Sequence, residues 1–146
     1  MADIVDPKTR SRMMSGIRGK NTKPELTVRR FLHSQGFRYR LHRKRLPGRP
    51  DIVLPKYGTV VLVHGCFWHQ HAGCRYAYMP KSNRGFWEAK LGSNVERDKQ
   101  TVVQLRRLGW RVKVLWECEV AEPEKLRRLV KWIRSSPTYS SSEVAE

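Results

Sequence analysis

Residues 64–74, HGCFWHQHAGC, concentrate side chains that could do chemistry. Three of the five histidines and two of the three cysteines of the chain lie in these eleven residues. Imidazoles and thiolates bind zinc, and an imidazole can also transfer protons near neutral pH. Two large aromatic residues, Phe67 and Trp68, lie between them, although a metal site needs no aromatic ring. The stretch therefore predicts more than one chemical task.

The thiols and one imidazole have the composition of a structural zinc site. Cys66, His71 and Cys74 follow the spacing C-x4-H-x2-C, and Cys118 comes much later in the chain. Three thiolates and one imidazole complete a tetrahedral zinc shell with no open position for substrate. The alternative is three unrelated buried cysteines, each acting as a small apolar residue. A zinc ion here would tie the aromatic loop to the end of a distant strand.

A predicted hairpin brings a carboxylate to the same stretch. Residues 52–54 and 59–64 are apolar and are joined by a short turn, which favours an antiparallel hairpin. Asp51 would then lie beside Val63 and the residue that follows it. Its carboxylate, the main-chain carbonyl of Val63 and nearby phosphate oxygens would form an oxygen-rich site suited to Mg²⁺.

His64 and His69 would be available to this pocket if His71 binds zinc. An imidazole close to a bound metal could accept a proton from water or donate one to a leaving oxygen. Glu25 lies on the inward face of the first predicted helix, over residues 22–36, and could orient His69. The alternatives are a structural histidine at a strand end and a glutamate favoured by the helix dipole.

The aromatic residues could make a contact of their own with a binding partner. Phe67 and Trp68 are adjacent, so in an extended segment they cannot both face one core. Exposed rings in a basic protein could stack on bases or insert between them. Trp87 is a third candidate and Met14 is a candidate minor-groove wedge, although both could instead fill a core.

Charge indicates what that partner is. The chain has 30 Lys and Arg against 13 Asp and Glu, a formal net charge of +17, which favours nucleic acid over a merely soluble basic protein. No apolar run is long enough to span a membrane, and an odd number of cysteines argues against a disulfide framework. We expect a cytoplasmic protein without a membrane partner.

The order of elements predicts an α/β fold, a mixed β-sheet flanked by helices. A polar, basic arm over residues 1–21 precedes one domain over residues 22–135, and residues 136–146 form a flexible tail. After the hairpin, residues 65–92 are predicted to be irregular. The further predicted elements are a strand at 37–42, a helix from the capping box at 93–96 to Gly109, a strand at 110–116 and a helix at 123–134.

Five segments together resemble the very short patch repair (Vsr) DNA mismatch endonucleases. They are LPGRPDIV, VHGCFWHQH, FWEAKLGSNVERD, LGWRVKVLWEC and the basic arm, in order and with nearly constant spacing. The resemblance implies a restriction-endonuclease-like core with a structural zinc site. It also implies Mg²⁺-dependent nicking of double-stranded DNA on the 5′ side of the thymine in a T:G mismatch, by a monomer acting on bacterial nucleoid DNA, with downstream repair proteins as further partners.

The resemblance also assigns roles to single residues. Asp51 and the carbonyl of Val63 match the Mg²⁺ ligands, His64 and His69 match the active-site histidines, and Glu25 matches the partner of His69. The matching zinc ligands are Cys66, His71, Cys74 and Cys118, and the matching DNA contacts are Met14, Phe67, Trp68, Trp87, Lys90 and Asn94.

Some positions depart from the family pattern. Val63 stands where many members have Thr, the gap from His71 to Cys74 is one residue longer, and the E-x-K motif of the wider nuclease superfamily is absent. Two alternatives therefore stay open. One is a restriction-type nuclease of the same fold without mismatch specificity, and the other is a non-catalytic, zinc-stabilised DNA-binding protein.

Overall fold

The computed structural model describes residues 22–135. The basic arm with Met14 and the predicted tail lie outside this range. The helices are α1 (Lys23–Ser34), α2 (Arg84–Arg107), α3 (Glu117–Val120) and α4 (Pro123–Arg134), and the strands are β1 (Arg40–Leu41), β2 (Ile52–Leu54), β3 (Thr59–His64) and β4 (Arg111–Trp116).

The four strands form one mixed sheet in the order β1-β2-β3-β4. β1, β2 and β3 are antiparallel neighbours, which confirms the predicted hairpin, whereas β4 runs parallel to β3. The β2–β3 register pairs Ile52 with Val61, so Asp51 comes opposite Leu62 at the carboxyl end of β3. The parallel register pairs His64 with Trp116.

Helices cover both faces of this sheet, as the sequence predicted. α1 and α4 pack on one face, where Val28 and Leu129 meet Ile52 and Val61. α2 packs on the other face, where Leu105 belongs to the core formed by alternate residues of the same strands. Because β3 is covered on both faces, five of its six side chains are buried.

α1 begins and ends where its sequence signals lie. The Thr22 side chain accepts a hydrogen bond from the Glu25 N–H, Pro24 occupies the first turn, and Gly36 follows in the left-handed region. Val28 and Leu32 are buried on its inner face, and Glu25 is buried with them. The predicted inward orientation of this acid is therefore confirmed.

Two predicted boundaries are corrected, and one short helix was not predicted. α2 begins at Arg84, nine residues before the expected capping box at Ser93, so the box lies inside the helix. The reason is that Trp87 and Leu91 are buried on the same face as Leu105, and this apolar face extends the helix towards its N-terminus. β1 covers two residues of the predicted strand at 37–42, and the short helix α3 was not predicted.

The loop before β2 packs against the middle of α2. Gly48 has φ +72, and a Cβ atom added there would lie 2.4 Å from Cγ2 of Thr101. Glycine is therefore required both by the backbone conformation and by the close approach of the helix. This contact fixes the segment that leads into Asp51.

No helix among residues 22–135 is long and apolar enough to cross a membrane.

We predict that Gly48→Ala lowers the free energy of unfolding by about 2–3 kcal/mol, because it combines left-handed strain with a clash. Gly36→Ala is the matched control. It has φ +86 and no atom within 4 Å, so it should cost about 1 kcal/mol, from strain alone. Urea unfolding of both variants, and of Gly48→Ala combined with Thr101→Ala, measures the difference. Equal losses for the two glycine variants would contradict the packing explanation.

Candidate active site

Asp51 lies at the carboxyl end of β3, as the hairpin predicted. Its Oδ2 atom accepts a hydrogen bond from the Val63 main-chain N–H at 2.8 Å. Burial raises the pKa of Asp51 to about 6, the Val63 N–H opposes the rise, and the nearby Glu25 carboxylate adds to it. Its surroundings therefore shift this carboxyl towards its neutral form, and a bound cation would oppose that shift.

Glu25 approaches Asp51 from α1 but contacts a histidine that sequence reasoning missed. Nε2 of His42 lies 3.1 and 3.0 Å from the two Glu25 carboxylate oxygens, and Arg29 donates to Oε2 at 3.2 Å. Ligand-type atoms of Glu25, His42 and Asp51 all lie within 4.8 Å of one another, so this group could hold a metal ion.

His64 and His69 lie together, as expected. Their rings stack in parallel, with centroids 3.9 Å apart. Burial lowers the pKa of His64 to about 4, and the neighbouring His69 adds to the effect, so His64 is a neutral imidazole at pH 7. Its Nδ1 atom is buried and has no hydrogen-bond partner within residues 22–135.

The expected pairing of Glu25 with His69 is wrong. Nδ1 of His69 donates instead to Oδ2 of Asp98 at 2.6 Å, while Glu25 is paired with His42. Asp98 was missed although a signal for it exists. It follows Trp87, Leu91 and Asn94 at helical spacing and precedes Leu105. An acid on this inward face of α2 needs a partner, as Glu25 does.

The thiol cluster is a separate group, as predicted. Cys66, His71, Cys74 and Cys118 bring their ligand-type atoms within 4.8 Å of one another, and could hold a metal ion. Nδ1 of His71 lies 3.7 Å from the Cys66 sulfur and 3.4 Å from the Cys118 sulfur. Burial raises the pKa of the Cys66 thiol to about 12.

Trp116 separates the cluster from the histidine pair. Its ring stacks on His71 at a centroid distance of 4.2 Å and meets the His64 ring edge-on at 5.2 Å. The last residue of β4 therefore fixes the spacing between the two groups. His64 and His69 do not share the cluster with the sulfur atoms.

The aromatic residues form one continuous group in front of the site. Phe67 contacts Trp68, Tyr78 and Trp87, with ring centroids 4.9–5.6 Å apart. Phe67 and Trp68 are half-buried, but Trp87 is only 8% exposed, so the expectation of an outward-facing Trp87 is corrected. It supports the other rings, because α2 turns it towards them.

Two exposed rings of this group were missed by sequence reasoning. Phe86 is 61% exposed and Tyr78 is 48% exposed, more than any residue named as a stacking candidate within residues 22–135. Phe86 precedes the buried Trp87 on α2, so a helical reading of FWEAK would have indicated that the two rings point in different directions.

The two predicted DNA contacts on α2 differ in what they touch. The Asn94 amide donates to the Trp68 carbonyl at 3.0 Å, and so holds the aromatic loop against the helix. Lys90 lies one turn earlier and is half-buried. Asn94 and Asp98 thus hold the loop against α2 at two successive residues, one through the main chain of Trp68 and one through the side chain of His69.

Proteins with similar sequences fall in one class, the DNA endonucleases. The type II nicking enzyme V.XorIIP of Xanthomonas oryzae is 49% identical over 84% of this chain and 89% of its own length. The type II nicking enzyme V.NmeAIP of Neisseria meningitidis is 48% identical over 93% of this chain and 99% of its own. The DNA mismatch endonuclease Vsr of Escherichia coli is 42% identical over 91% of this chain and 88% of its own length.

A family model described as DNA mismatch endonuclease Vsr matches residues 2–75, and the chain belongs to this family. The predicted function, a DNA mismatch endonuclease, is thereby confirmed, and the names of the two nicking enzymes agree with cleavage of one strand. DNA is the partner that the net charge of +17 indicated.

Stability should depend on pH through Asp51. The folded pKa, about 6, lies above the ordinary value of 3.8, so the carboxyl stabilises the fold fully at low pH and that contribution is lost as the pH rises through 6. We therefore predict that Asp51→Asn, without added divalent metal, is more stable than the parent at pH 8 by about 2–3 kcal/mol. Urea unfolding at pH 8 and pH 4 measures this, and an asparagine variant less stable at pH 8 would refute it.

Proposed function

We propose that this protein nicks double-stranded DNA on the 5′ side of the thymine in a T:G mismatch, in a reaction that requires Mg²⁺. The observation that carries the proposal is the 2.8 Å contact between the Asp51 carboxylate and the Val63 N–H, because it brings the acid to the strand end from which His64 projects. A helix, an antiparallel hairpin and a parallel fourth strand also support a restriction-endonuclease-like core.

The residues around Asp51 fit a small, hard cation. Asp51 and Glu25 offer carboxylate oxygens, and the Val63 main chain adds a carbonyl. Mg²⁺ held here would neutralise negative charge that develops on the scissile phosphate. The raised pKa of Asp51 supports the fit, since a cation would relieve the charge that burial disfavours.

Protons are moved by the histidine pair. His69 is the general base, because the 2.6 Å hydrogen bond from its Nδ1–H to Asp98 leaves Nε2 free to accept a proton from water. Because its pKa is low, His64 is a neutral imidazole at pH 7. It would therefore form a neutral hydrogen bond to the leaving oxygen and would not act as a charged imidazolium. Glu25 serves the metal pocket rather than His69.

The thiol cluster fits structural zinc. Tetrahedral bonds of ordinary length place a nitrogen and a sulfur ligand about 3.6 Å apart, and the two His71–sulfur distances are 3.7 and 3.4 Å. Zinc bound there would join Cys66 and Cys74 of the loop to Cys118 of α3. Its role is to hold the aromatic group in place, since all four positions of the shell are filled by protein.

The aromatic group would detect the mismatch by deformation of the duplex. A mismatched step is cheaper to unstack than a paired step, and stacking of one base on an aromatic ring contributes about 1–3 kcal/mol. Phe67 and Trp68 are the wedge, with the exposed Phe86 and Tyr78 at its edge and Trp87 beneath it. Lys90 and, outside the described residues, Met14 are further contacts with DNA.

The test of this function is a nicking assay on paired duplexes that differ at one base. With Mg²⁺, we expect a single nick 5′ of the thymine in T:G and an intact C:G duplex of the same sequence, over a panel of flanking sequences. Asp51→Ala should bind the T:G duplex and leave it whole. Equal cutting of T:G and C:G would favour the restriction-type nuclease, and two intact strands under all conditions would favour the non-catalytic binder.

The assignment of Asp98 has its own test. Asp98→Asn keeps the shape of the side chain but removes the charge that orients His69, so we expect kcat to fall by about 10²–10⁴-fold with little change in DNA affinity. Single-turnover nicking and a binding titration separate the two quantities. Glu96→Gln, an exposed acid on the same helix, is the control. A kcat for Asp98→Asn equal to that of the control would rule out the orienting role.

A further inference from the structure

His42 holds an unusual position for a residue outside the predicted site. It directly follows β1 and has φ +46, in the left-handed region that non-glycine residues seldom adopt. Such a conformation is strained for a residue with a Cβ atom and persists where surrounding contacts impose it. The contacts of His42 therefore indicate what the conformation is for.

Both acids of the metal pocket are bound by this one residue. The ring nitrogen Nε2 lies 3.0 Å from Oε2 and 3.1 Å from Oε1 of Glu25. The main-chain N–H of His42 donates to the carbonyl oxygen of Asp51 at 3.3 Å. The side chain of His42 thus holds one acid, and its backbone holds the residue that carries the other.

Glu25 requires such a partner more than a surface acid would. It is 2% exposed, and a buried carboxylate needs donors to replace water. Arg29, one turn further along α1, approaches Oε2, whereas His42 reaches both oxygens from the segment that directly follows β1. Arg29 belongs to the same helix as Glu25, so the contact with His42 ties the carboxylate to the sheet.

The contact between His42 and Glu25 matters because the carboxylates of Glu25 and Asp51 repel each other. A carboxylate oxygen of Glu25, one of Asp51 and Nε2 of His42 all lie within 4.8 Å of one another. Two carboxylates converge on one cation only if each is held in place by its own donor. The Val63 N–H holds Asp51 in this way, and His42 holds Glu25.

We propose that His42 is a positioning residue of the active site, which clamps Glu25 beside Asp51 so that both carboxylates face one divalent ion. This inference rests on the proposed function, because it assigns His42 a role towards the Mg²⁺ pocket. In this role His42 acts through Glu25 and need not touch the DNA.

The test compares three variants of the zinc-loaded protein. His42→Leu removes the donor, His42→Gln keeps an amide donor, and His33→Leu makes the same change at an exposed histidine of α1. Mn²⁺ binding is followed by loss of the free-ion electron paramagnetic resonance signal, with Asp51→Ala marking binding elsewhere. Nicking is measured against Mg²⁺ concentration, which separates half-saturation from kcat.

We expect His42→Leu to raise the Mn²⁺ dissociation constant and the Mg²⁺ half-saturation point by about 10–100-fold, the usual effect of losing a residue that orients a metal ligand. The kcat at saturating Mg²⁺ should change less than either constant. His42→Gln should restore most of the loss, and His33→Leu should match the parent. If His42→Leu does not fold, His42→Asn, whose shorter amide falls short of Glu25, takes its place.

Parent-like Mn²⁺ affinity in the leucine or asparagine variant would overturn the proposal. So would equal losses in the leucine and glutamine variants, because that pattern belongs to a purely structural residue. The proposed function fails separately, if the parent protein leaves T:G duplexes whole. In that event the Mn²⁺ series still decides whether His42 positions Glu25.

Discussion

The hydrogen bond between the Asp51 carboxylate and the Val63 N–H is the contact on which the site depends. It exists because the β2–β3 register brings the residue before β2 to the carboxyl end of β3, and a slip of one residue would turn every side chain of the strand to the other face. The parallel partner β4 then places Trp116 beside His64, and the turn at Gly48, packed on Thr101, fixes the approach to Asp51.

Three acids around this contact have different surroundings and different tasks. Asp51 is buried with a raised pKa, which suits a carboxylate that would bind a cation. Asp98 is partly exposed and paired with His69, which suits orientation of a base. Glu25 is buried and clamped by His42. Holding a desolvated acid and a neutral His64, whose Nδ1 has no hydrogen-bond partner among residues 22–135, costs stability, as is common in active sites.

The sequence was sufficient for contacts set by short loops or by ligand chemistry. The turn at 55–58 determined the hairpin, and hence the position of Asp51 beside Val63. Three cysteines and one histidine sufficed to predict the thiol cluster. The sequence was insufficient where two interacting side chains come from elements that are distant in sequence. The pairs Glu25–His42 and His69–Asp98 span 17 and 29 residues, and their choice depends on how α1 and α2 dock on the sheet. Trp87 was misplaced because α2 begins at Arg84, well before the capping box at Ser93 from which the sequence predicted the helix.

The central claim is that a divalent cation binds beside Asp51, within reach of both stacked imidazoles and apart from the thiol cage. The most direct measurement is the paramagnetic effect of substoichiometric Mn²⁺ on nuclear magnetic resonance signals of the zinc-loaded protein. We predict selective broadening of the Val63 amide and of the His64 and His69 rings, unchanged His33 signals, and loss of the effect in Asp51→Ala. Broadening that leaves Val63 and both rings sharp, or that persists in Asp51→Ala, would contradict it.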